Sequence, residues 1–168
     1  YATNNLDGGA GNDTLKGGRY GYNNLNGGAG DDTLTGGYRN DTLNAGTGND
    51  IAKGGAGNDT YIFNLGDGQL EIIDGSGRDT LRFGEGITKD DITITQESDG
   101  FVYVRLNDTT DVIKFAQAST TSTLAIDIIR FADNSCIHAT QILASTKTLT
   151  EGDDTLTANQ RDTNNIDA

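Results

Sequence analysis

The sequence is constrained first by a nine-residue rhythm in its N-terminal half. Apolar residues fall at Leu6, Leu15, Leu25, Leu34, Leu43, Ala52 and Tyr61, at nine-residue intervals with a single step of ten. Two positions ahead of each stands Asn4, Asp13, Asn23, Asp32, Asp41, Asp50 or Asp59. Glycine pairs precede these at Gly8-Gly9, Gly17-Gly18, Gly27-Gly28, Gly36-Gly37 and Gly54-Gly55, with Ala45-Gly46 in the equivalent place. A further glycine stands at Gly11, Gly30, Gly48 and Gly57. The unit is therefore G-G-x-G-x-D-x-U-x, where U is apolar. A linker accounts for glycine but not for an aspartate and an apolar residue held in register.

Sixteen of the 24 glycines lie in residues 1–63. Glycine at this density excludes a helix, at about 1 kcal/mol per position, and permits positive φ and close backbone packing. The alternating triplet around U sends its side chain to one face and its neighbours to the other. Each unit thus divides into a turn of about six residues and a strand of about three. Two units make one coil, and stacked coils make two parallel sheets with U between them and turns along both edges.

Such a coil is not self-sufficient. One buried leucine per unit contributes about 1.5–3 kcal/mol, whereas ordering the backbone costs about 1–2 kcal/mol per residue. Only 33% of the chain is apolar. Aligned aspartates along an edge also repel one another. A hard divalent cation removes both difficulties, because carboxylates and turn carbonyls are the oxygen ligands that Ca²⁺ takes.

These units resemble the RTX (repeats-in-toxin) calcium-binding nonapeptide family. The resemblance implies an all-β fold built on a right-handed parallel β-roll. It also implies that each Ca²⁺ lies between the turns of units n and n+2, held by aspartates and turn carbonyls. One edge then stacks turns 8–13, 27–32 and 45–50, and the other 17–23, 36–41 and 54–59. The metal-binding set implied comprises Gly8, Gly9, Gly11, Asp13, Gly17, Gly18, Asn23, Gly27, Gly28, Gly30, Asp32, Gly36, Gly37, Asp41, Ala45, Gly46, Gly48, Asp50, Gly54, Gly55, Gly57 and Asp59. The pairs are Asp13 with Asp32, Asp32 with Asp50, Asp41 with Asp59 and, lacking one charge, Asn23 with Asp41. Tyr20 reads as an insertion, and Arg39 and Ala45 occupy glycine positions. Beyond Tyr61, NLGDGQLEI is a degenerate unit with Asp67 in its turn. DGSGRDTLRF is another, with Asp79 as ligand under Asp59 and Leu81 as U. About four to six ions are expected.

From Gly84 the rhythm stops. DITIT (91–95), FVYVRL (101–106), DVIKFA (111–116) and IDIIRFA (126–132) are rich in β-branched and aromatic residues, and short polar links favour an antiparallel meander. Residues 139–146 are either one short helix or an irregular closing segment. DTLRFGEGI and IIRFADN are similar to the β domain that often follows RTX blocks, which would cap the open end of the roll. The expected organisation is a roll over 1–83, a small antiparallel β cap over 84–148, and over 149–168 the start of another repeat block. There EGDDTLTANQRDTNNID repeats the spacing of the first units, as in an excerpt of a longer tandem array.

A net charge of −13 with 12 Lys and Arg makes the chain a poor candidate for nucleic acid or an anionic membrane, whose binding needs a clustered positive patch. No apolar run is long enough to span a bilayer. The single Cys136 excludes an internal disulfide framework, and it is expected as a small buried side chain. His138, the only histidine, has no partner for a zinc site or a catalytic triad. The adjacent carboxylates Asp31-Asp32, Asp90-Asp91 and Asp153-Asp154 resemble catalytic pairs, but neighbours on a strand face opposite ways. At Asp31-Asp32 that gives one ligand beside one solvated charge. No catalytic residues are assigned. Tyr20, Tyr22 and Tyr38 belong to turns, as edge packing or as a sugar or protein contact.

The expected function is a calcium-dependent folding module of a secreted bacterial protein, monomeric as this fragment and located extracellularly or at the cell surface. The family resemblance implies type I secretion from a Gram-negative bacterium. A site with Kd on the order of 10⁻⁴ M adds roughly 1.4 kcal/mol at ~1 mM Ca²⁺ and essentially nothing at a cytosolic ~10⁻⁷ M. The alternative is a polysaccharide- or receptor-binding adhesion module acting through residues 84–148.

Overall fold

The repeat positions fix the strands, and the strands fix the register. The computed structural model describes residues 2–116 and 124–146. Its first sheet stacks β1 (Thr3–Ala10), β3 (Tyr22–Ala29), the first part of β5 (Thr42–Gly55), β6 (Thr60–Phe63) and β8 (Thr80–Phe83), all parallel. Its second stacks β2 (Thr14–Lys16), β4 (Thr33–Gly37), the second part of β5 and β7 (Gly68–Ile73), also parallel. The chain forms a parallel β-roll, two strands per coil, with β5 running through a corner from one sheet to the other.

Register follows the apolar marker. Leu6, Leu25, Leu43, Tyr61 and Leu81 pair in succession across the first sheet. Leu15, Leu34, Ala52 and Ile72 do so across the second. All are buried except Leu6, which is half-buried against the core cluster. Because strand side chains alternate with period two, a one-residue slip would turn every U residue to solvent.

The meander expected over 91–132 is divided between the two sheets. The strands β9 (Ile92–Gln96), β10 (Phe101–Leu106) and β11 (Val112–Ala116) are antiparallel neighbours, as expected. However, β11 joins β7 in parallel, so the three extend the second sheet. The strand β12 (Ile128–Arg130) does not join β11. It pairs in parallel with β8 and antiparallel with β13 (Cys136–His138), extending the first sheet. Each sheet of the roll ends in an open edge of unpaired N–H and C=O groups, and a strand from the second half satisfies each one. Residues 139–146 are helical, as α1 (Ala139–Thr146), packed against β9 and β13 through buried Ile142.

One hydrophobic cluster runs from Leu15 through the roll to Ile142. Side chains grow along it, from Leu and Ala in the first coils to Phe63, Phe83 and Phe131 at the junction. Phe63 meets Phe83 edge-on at 6.2 Å, and Phe83 stacks on Phe131 at 5.5 Å. Cys136 is half-buried at the end strand rather than enclosed, its Sγ 3.4 Å from Nε2 of exposed His138. The repeat block expected over 149–168, with Asp153-Asp154, lies outside the described residues.

Since Phe83 joins the repeat core to the later strands, Phe83→Ala is expected to destabilise the folded chain by about 3–5 kcal/mol. Urea unfolding in millimolar calcium measures this. A change under about 1 kcal/mol, well below the cost of emptying a shared core, would show that the two parts do not share one.

Candidate metal centres

The aspartates of the repeat are buried, which an isolated carboxylate resists strongly. Asp32, Asp41, Asp50, Asp59 and Asp79 are enclosed, while Asp13, in the first coil, is half-buried. Asp31, beside Asp32, faces solvent, whereas Asp90 and Asp91 are both exposed, with Asp91 capping a 3₁₀ turn at Thr88.

Asp32, Asp41, Asp50, Asp59 and Asp79 each use one oxygen to join two coils. On the first edge, the amides of Asp13 and Asp32 donate to Oδ1 of Asp32 and Asp50, each at 2.7 Å. On the second, the amides of Asn23, Asp41 and Asp59 donate to Oδ1 of Asp41, Asp59 and Asp79, again at 2.7 Å. The other oxygen of Asp41 accepts from the Gly37 amide at 2.6 Å. Oδ2 of Asp13, Asp32 and Asp59 is buried and accepts no hydrogen bond. Buried acceptors without donors are rare and costly.

The first glycine of each pair makes room in front of that oxygen. A Cβ on Gly8 would lie 2.6 Å from the Gly27 carbonyl and 2.7 Å from Asp13 Oδ2. On Gly27 it would strike the Ala45 carbonyl and Asp32 Oδ2, and on Gly36 the Gly54 carbonyl and Asp41 Oδ2. A carboxylate oxygen and a carbonyl of the next coil thus converge where a side chain is missing. Hard oxygen donors converging in this way fit Ca²⁺. The second glycine serves the turn itself. Gly28 has φ of 108°, and a Cβ there would strike the Gly9 carbonyl.

Burial raises the carboxyl pKa values against the hydrogen bonds that lower them, and neighbouring carboxylates push several higher still. Asp50 is pushed up to about 6, Asp79 to about 7 and Asp59 to about 8. Asp41, Asp67 and Asp74 are also raised, mainly by burial. A cation between the coils would supply the charge that protons supply at these values.

The second edge departs from the pattern at its start. Asn23 offers no spare oxygen, because its Oδ1 accepts from the Gly18 amide at 2.8 Å and from Asn4 Nδ2 at 2.7 Å. Its own Nδ2 donates to the Gly18 carbonyl, the Gly21 carbonyl and Asp41 Oδ1, at 3.1, 3.3 and 2.8 Å. A Cβ on Gly17 would strike this carboxamide, whereas on Gly8, Gly27 or Gly36 it would meet a carboxylate oxygen and a carbonyl of the next coil. An N–H₂ group thus stands among the oxygens. Nor do Gly18 and Gly37 adopt positive φ, so the turns carrying Tyr20 and Arg39 have another shape. Tyr20 and Tyr38 stay exposed in an edge-on pair with Arg19, which lies over both rings and bonds the Tyr38 hydroxyl.

Asp67 does not continue the first edge. The register sets Gly68 beside Gly48 and Leu70 beside Asp50, so the aspartate ladder ends at Asp50. Asp67 instead closes its own turn by accepting from the amide of Asn64 at 2.7 Å. Three residues outside the repeat pattern take part. Asp111 is buried and accepts from the amides of Gly66 and Gly68. Asp127 accepts from the Asp79 amide at 2.9 Å, extending the second ladder into the later strands. Asp74 lies within 4.8 Å of Asp59 and Asp79, ligand atom to ligand atom. Asp111 and Asp127 keep the two-residue spacing to a buried apolar residue, Ile113 and Ile129. That spacing is the one signal the sequence holds for them.

Residues 2–19, 7–37 and 35–70 match the RTX calcium-binding nonapeptide repeat, in four copies. No curated protein matches the chain.

Replacing the carboxamide by a carboxylate should open a site there. Asn23→Asp is expected to raise by one the number of calcium ions bound per chain, counted by calorimetric titration. An unchanged count would show that the amide does not exclude the ion.

Proposed function

We propose, starting from the match of residues 2–70 to the RTX calcium-binding nonapeptide repeat, that this chain is a module whose folding is switched on by calcium. The observation that carries the reading is that Oδ2 of Asp13, Asp32 and Asp59 is buried and unpartnered, and that at Asp13 and Asp32 it faces a carbonyl of the next coil. Ions between the coils at Asp13/Asp32, Asp32/Asp50, Asp41/Asp59 and Asp59/Asp79 would give about four per chain, with the glycine-turn carbonyls completing each shell. Each ion bridges two coils and binds only when both are in register, so binding free energy is folding free energy.

The consequence is a threshold. At cytosolic calcium, closing the coils would bury carboxylates with no cation beside them, and the chain stays extended enough for export. At extracellular calcium the coils close in succession. This is the behaviour required of a monomeric module of a secreted or cell-surface bacterial protein passed through a type I secretion channel. The later strands would serve as its cap, and no catalytic role is assigned to any residue.

Far-UV circular dichroism and hydrodynamic size at neutral pH are expected to show strand structure and a compact chain in millimolar calcium, and neither in excess EGTA. A compact strand-rich chain in EGTA would refute the reading. The pH dependence has a defined sign. A carboxyl whose folded pKa is raised stabilises the calcium-free fold below its usual value of 3.8 and loses that contribution as pH rises through the folded values, about 6 for Asp50, 7 for Asp79 and 8 for Asp59. Calcium needs the ionised form, so its apparent affinity is expected to fall as pH is lowered through that window. Titrations that superimpose across it would contradict the assignment of these carboxylates as ligands.

A further inference from the structure

The junction between the roll and the later strands carries a cluster that the nonapeptide pattern does not generate. In that pattern, the turn before an aspartate ligand opens with glycine, and at Gly8, Gly27 and Gly36 this leaves a carbonyl of the next coil facing Oδ2. In the turn leading to Asp79 the place of that glycine is taken by Asp74, since Gly75 bonds Gly55 as the following residue. The carboxylates of Asp59, Asp74 and Asp79 meet within 4.8 Å.

Two further features mark this as more than an accidental acidic group. Asp59 is only 1% exposed, and its Oδ2 is buried without a hydrogen bond. A Cβ built on Gly54 would strike both this oxygen and the Tyr61 hydroxyl, so the two share one small volume. Tyr61, which takes the U position where other units have an aliphatic residue, holds that volume in shape. Its hydroxyl accepts from the Gly54 amide at 2.8 Å and donates to Asp74 Oδ2 at 2.6 Å. Asp74 Oδ1 accepts from its neighbour's amide, and Asp79 Oδ1 from the Asp59 amide at 2.7 Å. The charges of Asp74, Asp41 and Asp79 all act on Asp59 with the same sign.

We propose that Asp59, Asp74 and Asp79, with the Tyr61 hydroxyl beside them, form a three-carboxylate calcium site that binds more tightly than the repeat sites and locks the later strands onto the roll. It rests on the reading that the repeat edges bind calcium. Ligand charge and rigidity set calcium affinity, and here three carboxylates stand where a repeat site has two. The lock follows from Asp79, whose amide donates to Asp127 Oδ2 and whose carbonyl accepts from the amides of Asp127 and Ile128. Fixing Asp79 fixes the start of β12 and hence the closure of the first sheet.

Calorimetric calcium titration of the full chain tests this, with terbium emission excited through tyrosine as a second readout. In the native chain one ion is expected to bind on the order of tenfold more tightly than the rest, and the first terbium equivalent to be the most strongly sensitised. Asp74→Gly restores the glycine of the repeat and should leave the number of ions unchanged while the tight step merges with the weaker class. Asp74→Asn should do the same. Tyr61→Phe should keep the first equivalent bound but remove most of its emission. A tight step that survives both Asp74 variants, or a native chain whose ions all bind alike, overturns this proposal and leaves the repeat sites standing. A native chain that binds no calcium overturns both.

Discussion

The roll depends on how a buried aspartate divides its two oxygens. One accepts the backbone N–H of the aspartate one coil away, at 2.7 Å on both edges, and so sets the coil-to-coil register as a ladder hydrogen bond would. The other lies against the gap left by a glycine, opposite a carbonyl at Asp13 and Asp32, and it accepts no hydrogen bond at Asp13, Asp32 or Asp59. Hydrogen bonds alone cannot complete this arrangement, because turn carbonyls and carboxylates are all acceptors. Aspartate supplies the charge, glycine the space and leucine the register, and each is of little use without the other two.

The same division of oxygens explains where the pattern varies. An asparagine can close the gap itself, because a carboxamide brings donors as well as an acceptor, and Asn23 does so between Gly18, Gly21 and Asp41. At the far end of the second edge the gap is lined by Asp74 and the Tyr61 hydroxyl in place of a carbonyl. The ladder is thus graded along its length, from an amide-filled first rung to a carboxylate-rich last one. The last rung lies where the roll hands over its open edges to β11 and β12.

The parallel roll is legible in the sequence because its defining contacts recur at a fixed short interval. Leu25 beside Leu43, or Asp32 beside Asp50, follows from counting. The antiparallel run β9–β10–β11 is legible too, from alternating side chains joined by short polar links. What the local pattern does not carry is non-local. Nothing in it says that Val112 pairs beside Gln69, or Ile128 beside Thr80. These pairings are set by which open edge remains to be covered. Asp127 and Asp111 are hidden for the same reason, since their partners lie 48 and 43–45 residues away. Asp67 misleads for the opposite reason: it keeps a repeat-like neighbourhood, but the Asn64–Asp67 turn shifts the register and leaves Leu70 beside Asp50. Asp74 is inconspicuous because it stands where the pattern holds glycine.

The most direct test is a crystal structure of the chain grown in millimolar calcium, with ions located by anomalous scattering. Ions are expected about 2.3–2.6 Å from Oδ2 of Asp13, Asp32 and Asp59, between coils in the register described. An intact roll whose Oδ2 atoms face water or empty space in that crystal would contradict a calcium-held ladder.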